Sequence, residues 1–223
     1  NINHPEKIVE LNKGYLEAGC DIINTNTFGA NRLKYPDNLE EIVTKAVGHA
    51  KKARELTGRA DALIALDLGP TGKLLEPLGD LSFDDAVDIY AEVIEYGTKA
   101  GADVILIETM QDSYELKAAV LAAKEHSDLP VCATVVFDEK GKMLTGGTPE
   151  SVVALLEGLH IDALGINCSL GPRQIKPFVE RMIQVSSTPI IVTPNAGLPQ
   201  TDDEGHTYYD MSADDFALEM KEI

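Results

Sequence analysis

The segment Ala163-Leu-Gly-Ile-Asn-Cys-Ser-Leu-Gly-Pro172 joins a short apolar run to a turn, with Cys168 directly after the run. This pattern predicts a buried strand that leads through a loop towards a helix. Enzymes built of such units carry their chemistry in the loops at the carboxyl ends of the strands. Cys168 is therefore a candidate nucleophile or metal ligand, and the alternative is a small buried hydrophobic side chain.

Similar apolar runs alternate with segments of helical period along the chain. They are rich in Val, Ile and Leu without strict polar alternation, which is typical of parallel strands covered on both faces. The predicted strands are Asp21–Thr25, Ala62–Leu66, Val104–Ile107, Val131–Phe137, Ala163–Asn167 and Ile190–Thr193. Helix starts are predicted where a Ser or Thr side chain can cap the first turn, at Ser82, at Thr148 and at Ser212.

The order of these elements predicts an α/β fold. A helix over Glu6–Ala18 precedes the first strand, and a seventh helix follows Ser212. This order fits a (β/α)8 TIM barrel that is incomplete here, with its first and last strands outside the chain; a doubly wound open sheet is the alternative. We expect residues 1–223 to form a single barrel domain and to be a fragment of a larger protein. Acidic segments ending in glycine, Asp138–Gly141 and Asp202–Gly205, predict tight turns or hairpins.

Composition narrows the classes of partner. Lys and Arg number 19 against 37 Asp and Glu, and the net charge of −18 opposes binding to nucleic acid or to anionic membranes. Three cysteines far apart in sequence do not form a secreted disulfide framework. Neither a membrane-spanning run nor a secretion signal is visible in the sequence, so we expect a cytoplasmic protein.

Polar residues follow several predicted strands and are candidates for a site. The turn Thr25–Arg32 contains Phe28 and Gly29, and its peptide N–H groups could bind a carboxylate. Glu108 follows a strand too apolar to tolerate an unpaired carboxylate, so its partner is either a substrate ammonium group or a protein cation. Asn195 offers an amide to the same edge or caps its own loop. Neither a histidine base nor a nucleotide-binding fingerprint is indicated.

Five motifs together resemble the homocysteine S-methyltransferase family, and the first two of them more narrowly resemble the homocysteine-binding barrel of cobalamin-dependent methionine synthases. The motifs are Thr25–Arg32, Gly69–Gly79, Ile107–Thr109, Gly165–Cys168 and Asn195–Pro199. The resemblance covers nearly the whole chain. It implies a (β/α)8 barrel that binds homocysteine and a zinc ion.

The resemblance also implies roles for individual residues. Cys168 matches the family's catalytic cysteine, which binds zinc together with an adjacent cysteine pair after the last strand. The backbone at Phe28 and Gly29 would bind the substrate carboxylate, and Glu108 would bind its ammonium group. Asn167 and Asn195 would line the pocket. The cysteine pair is missing from this chain, so the zinc site is expected to be incomplete here and the chain alone inactive.

The implied reaction is methyl transfer to homocysteine, giving methionine. In the methionine synthase type, the donor is methylcobalamin on a partner domain, charged by methyltetrahydrofolate on a folate-binding domain. One alternative is a stand-alone methyltransferase that uses betaine or S-methylmethionine. Another is a substrate-binding part without turnover.

Overall fold

The structure is a computed structural model that describes residues 1–202, 204–209 and 211–223. The strands are β1 (Ile22–Asn24), β2 (Leu63–Leu68), β3 (Val104–Met110), β4 (Val131–Val135), β5 (Ala163–Asn167), β6 (Ile190–Thr193), β7 (Gln200–Thr201) and β8 (Thr207–Tyr208). The helices are α1 (Pro5–Glu17), α2 (Leu39–Thr57), α3 (Phe83–Ala100), α4 (Ser113–His126), α5 (Pro149–Gly158), α6 (Pro172–Val185) and α7 (Ala213–Met220). No helix in these ranges is long and apolar enough to cross a membrane.

The strands β1 to β6 form one sheet in which spatial order follows sequence order. The pairs β1–β2, β2–β3 and β5–β6 are parallel. A doubly wound sheet would reverse its strand order at a switch point, whereas a (β/α)8 barrel adds each strand beside the preceding one. The predicted fold class, a partial (β/α)8 barrel, is therefore confirmed and the open-sheet alternative is excluded.

The predicted strand positions are confirmed, but β4 ends at Val135 and not at the predicted Phe137, and two other strands end later than expected. β2 extends to Leu68 and includes Asp67, while β3 extends to Met110 and includes Glu108. The apolar pattern stops at the first polar side chain, but backbone pairing does not depend on side-chain polarity. Both carboxyl groups consequently sit on regular strand backbone.

The predicted helix starts form as capping chemistry requires. The Ser82 hydroxyl accepts from the peptide N–H of Asp85 at 3.1 Å, and the Ser212 hydroxyl accepts from that of Asp215 at 3.1 Å. Thr148 begins α5 with a reciprocal pair of bonds to Ser151. Each bond satisfies a donor that the first helical turn leaves free.

A small antiparallel hairpin forms where the acidic segment after β6 predicts one. Gln200 pairs with Tyr208, and Thr201 pairs with Thr207. Asp203, which belongs to the predicted segment, lies outside the described residues.

The described chain comprises two compact units. Unit 1 contains Asn1–Glu108 and Tyr114–Cys132, and unit 2 contains Thr109–Ser113 and Ala133–Ile223. In unit 1, α1 and α2 pack on β1 and β2 through a cluster of fully or nearly buried apolar side chains: Leu16, Ile23, Ala50, Ala53, Ala62 and Ile64. In unit 2, the buried side chains of β5 and of its flanking helices include Leu156, Leu164, Ile166, Ile175 and Met182. That residues 1–223 act as a single domain stays a prediction.

Gly165 lets β5 approach β6 more closely than any larger residue could. A Cβ atom at this position would lie 1.8 Å from the carbonyl oxygen of Ile191, its register partner in β6. The obstructing atom belongs to the backbone, so a side-chain rotation cannot relieve the clash.

We predict that Gly165→Ala lowers the free energy of unfolding by at least about 2 kcal/mol, because relief of the clash must separate β5 from β6. Gly48→Ala is the matched control. Gly48 lies inside α2 with no atom within 4 Å of an added Cβ, so this change should raise stability by roughly 0.5–1 kcal/mol. Urea unfolding followed by circular dichroism measures both. Equal stabilities of Gly165→Ala and the wild type would contradict the close approach.

Candidate functional site

Glu108 is a half-buried carboxyl group near the end of β3, in unit 1. Within the described chain its side chain has neither an ion-pair partner nor a hydrogen-bond donor. Burial raises the pKa of Glu108 because the charged form loses its hydration. The sequence offered two possible partners for Glu108, a substrate ammonium group or a protein cation. No Lys, Arg or His of the described residues pairs with it.

Asp67 is a second carboxyl group on the same sheet, and it is only 6% exposed. Its Oδ1 atom is buried without a hydrogen-bond partner in the described chain. Burial and, to a lesser degree, the nearby charge of Glu108 raise the pKa of Asp67 to about 8. Asp67, like Glu108, directly follows an apolar run in the sequence, so the same signal could have identified it as a candidate site residue.

The turn after β1 is fixed against the end of β2. The Thr27 hydroxyl donates to the carbonyl of Asp67 at 2.7 Å, and the peptide N–H of Gly69 donates to the carbonyl of Phe28 at 2.9 Å. A Cβ on Gly69 would lie 2.5 Å from the Phe28 ring, so this contact requires glycine. The peptide N–H groups of Phe28 and Gly29 donate no hydrogen bond within the described residues. That they bind the carboxylate of a substrate stays a prediction.

A buried glutamate anchors the loop after β2. Glu115, on α4 and 4% exposed, accepts hydrogen bonds from the peptide N–H of Thr71 at 2.7 Å and from its hydroxyl at 2.6 Å. The Tyr90 hydroxyl on α3 donates to the same carboxylate oxygen at 3.0 Å. This anchor, which sequence reasoning missed, ties the Gly69–Gly72 loop to two helices of unit 1.

In unit 2, Asn167 and Cys168 share one polar cluster with Thr109. The Asn167 side chain accepts from the peptide N–H of Thr109 at 2.9 Å and donates to the Thr109 hydroxyl at 2.6 Å. The Cys168 sulfur accepts from Asn167 Nδ2 at 3.5 Å and from Thr109 Oγ1 at 3.9 Å. Two hydrogen-bond donors are thus directed at one sulfur atom. Thr109 was not predicted as a site residue, since its partners are 58 and 59 residues away.

The backbone of this cluster adopts a conformation that residues other than glycine rarely take. The φ angles are 61° at Thr109, 53° at Cys168 and 53° at Ser169. Such angles cost on the order of 1–3 kcal/mol each and persist where surrounding bonds enforce them. Here the peptide N–H of Cys168 donates to Thr193 O at 3.0 Å, and the Ser169 hydroxyl donates to Phe137 O at 3.1 Å. The thiol is thus held in a fixed orientation.

Asn195 lies in the loop after β6. Its peptide N–H donates to the carbonyl of Leu170 at 3.1 Å, which ties this loop to the one that carries Cys168. The Asn195 side chain is half-buried and makes no hydrogen bond within the described chain, so it does not cap its own loop there. It is free to contact a ligand.

The zinc ligands implied by the resemblance are not assembled in the described residues. No group of three or more His, Cys, Asp or Glu side chains able to hold a metal occurs among them. The neighbours of the Cys168 sulfur are an amide and a hydroxyl group. A tetrahedral zinc site needs four ligands, so these residues do not fit such a site by themselves.

The predicted site residues are thus divided between the units. Phe28, Gly29 and Glu108 belong to unit 1, and Asn167, Cys168 and Asn195 belong to unit 2. Contacts within unit 2 bring Asn167 and Cys168 together. That all six residues serve one substrate stays a prediction.

Comparisons with known proteins identify the family of this chain. The profile of the family described as "Homocysteine S-methyltransferase" matches residues 1–223. Methionine synthase of Mycobacterium tuberculosis (strain ATCC 25618 / H37Rv) is 31% identical over 220 residues, which cover 93% of this chain and 18% of that protein. This chain therefore spans less than a fifth of that relative.

Solved structures agree on the fold. The metallated form of the homocysteine methyltransferase MmuM from Escherichia coli superposes with a TM-score of 0.79 at 23% identity, covering 88% of this chain and 74% of that one. Its oxidized form gives 0.76 at 23% identity, covering 87% and 72%. At this identity the likeness establishes the fold alone.

The raised pKa of Asp67 predicts how stability depends on pH. The ordinary value for Asp is 3.8 and the folded value is about 8, so between these pH values the unfolded chain has lost a proton that the folded chain keeps. The contribution of Asp67 to the free energy of unfolding therefore falls as the pH rises, by up to about 1.4 kcal/mol per pH unit. Asp67→Asn cannot ionise, and its stability relative to the wild type should rise steadily from pH 5 to pH 8.

Urea unfolding at four pH values measures this difference. Asp103→Asn is the control, because Asp103 lies before the amino end of β3 and pairs with Arg54 at 2.8 Å. Its effect should be the same at every pH in this range. A constant difference between Asp67→Asn and the wild type would show that Asp67 is already ionised in the folded protein.

Proposed function

Because the chain belongs to the homocysteine S-methyltransferase family, we propose that it binds homocysteine for methyl transfer to sulfur, which gives methionine. Apart from the family match, the main support for this proposal is the free carboxylate of Glu108. It lies half-buried near the end of β3, without a cation in the described chain, where an amino acid's ammonium group would complete it. Buried carboxylates ordinarily have such a partner.

The carboxylate of the substrate binds at the turn after β1. The free peptide N–H groups of Phe28 and Gly29 support this role, since two adjacent donors suit a carboxylate. Glu108 binds the ammonium group. Both charged groups on the α-carbon of the amino acid are then recognised by charge and hydrogen bonding, which orients the side chain of the substrate.

Cys168 acts at the sulfur end of the substrate, supported by Asn167 and Asn195 as polar lining. The fixed position of the Cys168 side chain in the loop after β5 supports this role. We propose Cys168 as one zinc ligand, as the family resemblance implies. Since the described residues do not complete a zinc site, they account for binding and orientation of the substrate and not for a metal-dependent step.

The methyl donor is proposed to be methylcobalamin on a partner domain, charged by methyltetrahydrofolate on a folate-binding domain. The Mycobacterium tuberculosis relative supports this assignment, because that protein is a methionine synthase and this chain matches only 18% of its length. The alternative, a stand-alone methyltransferase using betaine or S-methylmethionine, is favoured by the coverage of 74% of the Escherichia coli homocysteine methyltransferase structure.

We predict that Glu108→Gln in the intact protein weakens binding of L-homocysteine by roughly 10- to 100-fold. The change removes a charge-assisted hydrogen bond worth about 1.5–3 kcal/mol. Titration calorimetry measures the affinity. Glu41→Gln, which alters an exposed ion pair with Lys45 on α2, should bind like the wild type. The analogue 4-mercaptobutanoate lacks the ammonium group, so Glu108→Gln should bind it as the wild type does. Unchanged homocysteine affinity in Glu108→Gln would refute the assigned role.

We predict that Cys168→Ser in the intact protein lowers the rate of methyl transfer at least about 100-fold, the size of loss seen when a group stabilising the reacting charge is removed. Binding of methionine, whose sulfur carries no proton, should change by only a few-fold, because Glu108 and the Phe28 turn still bind it. Cys20→Ser is the control, since Cys20 packs against the unit 1 core. Full activity of Cys168→Ser would show that Cys168 has no role in methyl transfer.

A further inference from the structure

Asp67 and Glu108 lie on the same face of the unit 1 sheet. Asp67 is the register partner of Leu106, so Glu108 follows that partner by two residues and points to the same side. Adjacent strands are about 4.8 Å apart and rise about 3.3 Å per residue, which puts the two Cα atoms roughly 8 Å apart. Two carboxyl side chains of this length can reach one small ligand or each other.

The backbone of Asp67 is fully bonded while its carboxyl group is not. Its peptide N–H donates to the Thr25 hydroxyl at 3.1 Å, and its carbonyl accepts from the Thr27 hydroxyl at 2.7 Å. The side chain is 6% exposed, with Oδ1 unpartnered. A buried polar atom without a partner costs about 1–3 kcal/mol, and a ligand that donates a hydrogen bond to Oδ1 would recover that energy.

No cation in the described chain neutralises this pair. The side chains that bond Asp67 from the β1 side are the hydroxyl groups of Thr25 and Thr27, and on β3 the titratable neighbour is Glu108. At the opposite end of β3, by contrast, Asp103 is paired with Arg54 at 2.8 Å. The carboxylate next to the amino end of β3 thus has a cation within the fold, whereas Glu108 near the other end of β3 and Asp67 on the neighbouring β2 have none among the described residues.

We propose that Asp67 is a second acidic residue of the ammonium site, which holds a proton in the free protein and releases it when the substrate's ammonium group binds. This inference rests on the proposed function. The proton leaves the Asp67 carboxyl group for solvent, and N–H···O hydrogen bonds to both carboxylates replace it. No covalent bond to carbon, nitrogen or sulfur changes.

The charge balance of the buried pair explains the exchange. In the free protein, Glu108 ionised and Asp67 protonated give a net charge of −1. With an ammonium group and both carboxylates ionised, the net charge is again −1. Burial opposes a charge of −2, and the raised pKa of Asp67 reflects this. A neutral ligand would leave the proton in place, so the pair selects ligands that carry a positive charge.

The test is calorimetric titration of the intact protein with L-methionine at pH 7, in two buffers of different ionisation enthalpy. Methionine carries the ammonium group but has no thiol, so a released proton cannot come from sulfur. With a pKa of about 8, Asp67 is mostly protonated at pH 7, and we expect release of more than about half a proton per methionine bound. The analogue 4-(methylthio)butanoate, which lacks the ammonium group, should release none.

Variants identify the source of the proton. Asp67→Asn should release none and bind methionine at least about 5-fold more weakly, while Asp103→Asn should release as much as the wild type. Infrared difference spectra of the unmutated protein provide a check that does not depend on a variant's folding. Addition of methionine should remove the signal of a protonated carboxyl group.

The outcomes separate this inference from the function it rests on. Methionine binding without proton release, or with release that persists in Asp67→Asn, overturns the role of Asp67 and leaves the proposed function intact. If the intact protein binds neither methionine nor homocysteine, the proposed function and this inference are both overturned.

Discussion

Parallel pairing in sequence order is the constraint on which the other features depend. It brings the carboxyl ends of successive strands to one edge, so a polar residue near the end of one strand meets its counterpart on the next. The register of β2 with β3 places Asp67 beside the residue two positions before Glu108. The register of β5 with β6 likewise ties the Cys168 loop to Thr193 and requires glycine at position 165.

The same constraint explains how charge is distributed along β3. Near the amino end, Asp103 accepts hydrogen bonds from Arg54 and from the peptide N–H of Ile64 at 2.9 Å, which satisfies its carboxylate within the fold. Near the carboxyl end, Asp67 and Glu108 receive no such partner in the described residues. The unpartnered carboxyl groups near the carboxyl end thus lower the stability of the fold, and a bound ligand could compensate for this. Asp103 near the amino end carries no such cost.

Local sequence signals predicted most of the fold. Apolar runs located β1 to β6, and the Ser and Thr caps located the starts of α3, α5 and α7, because both depend on residues close in sequence. The strand ends were misplaced at Asp67 and Glu108, since a polar side chain ends an apolar pattern but not backbone pairing. Thr109 and Glu115 could not be predicted, because each acts through partners more than 20 residues away that only the folded chain brings near.

The Glu115 anchor has a mechanical consequence. One carboxylate oxygen joins Thr71 in the loop after β2 to Tyr90 on α3, and Glu115 itself sits in the first turn of α4. The loop therefore moves with these two helices and not independently of them. A displacement of α3 or α4 that kept these hydrogen bonds intact would therefore shift the loop at the end of β2 as well.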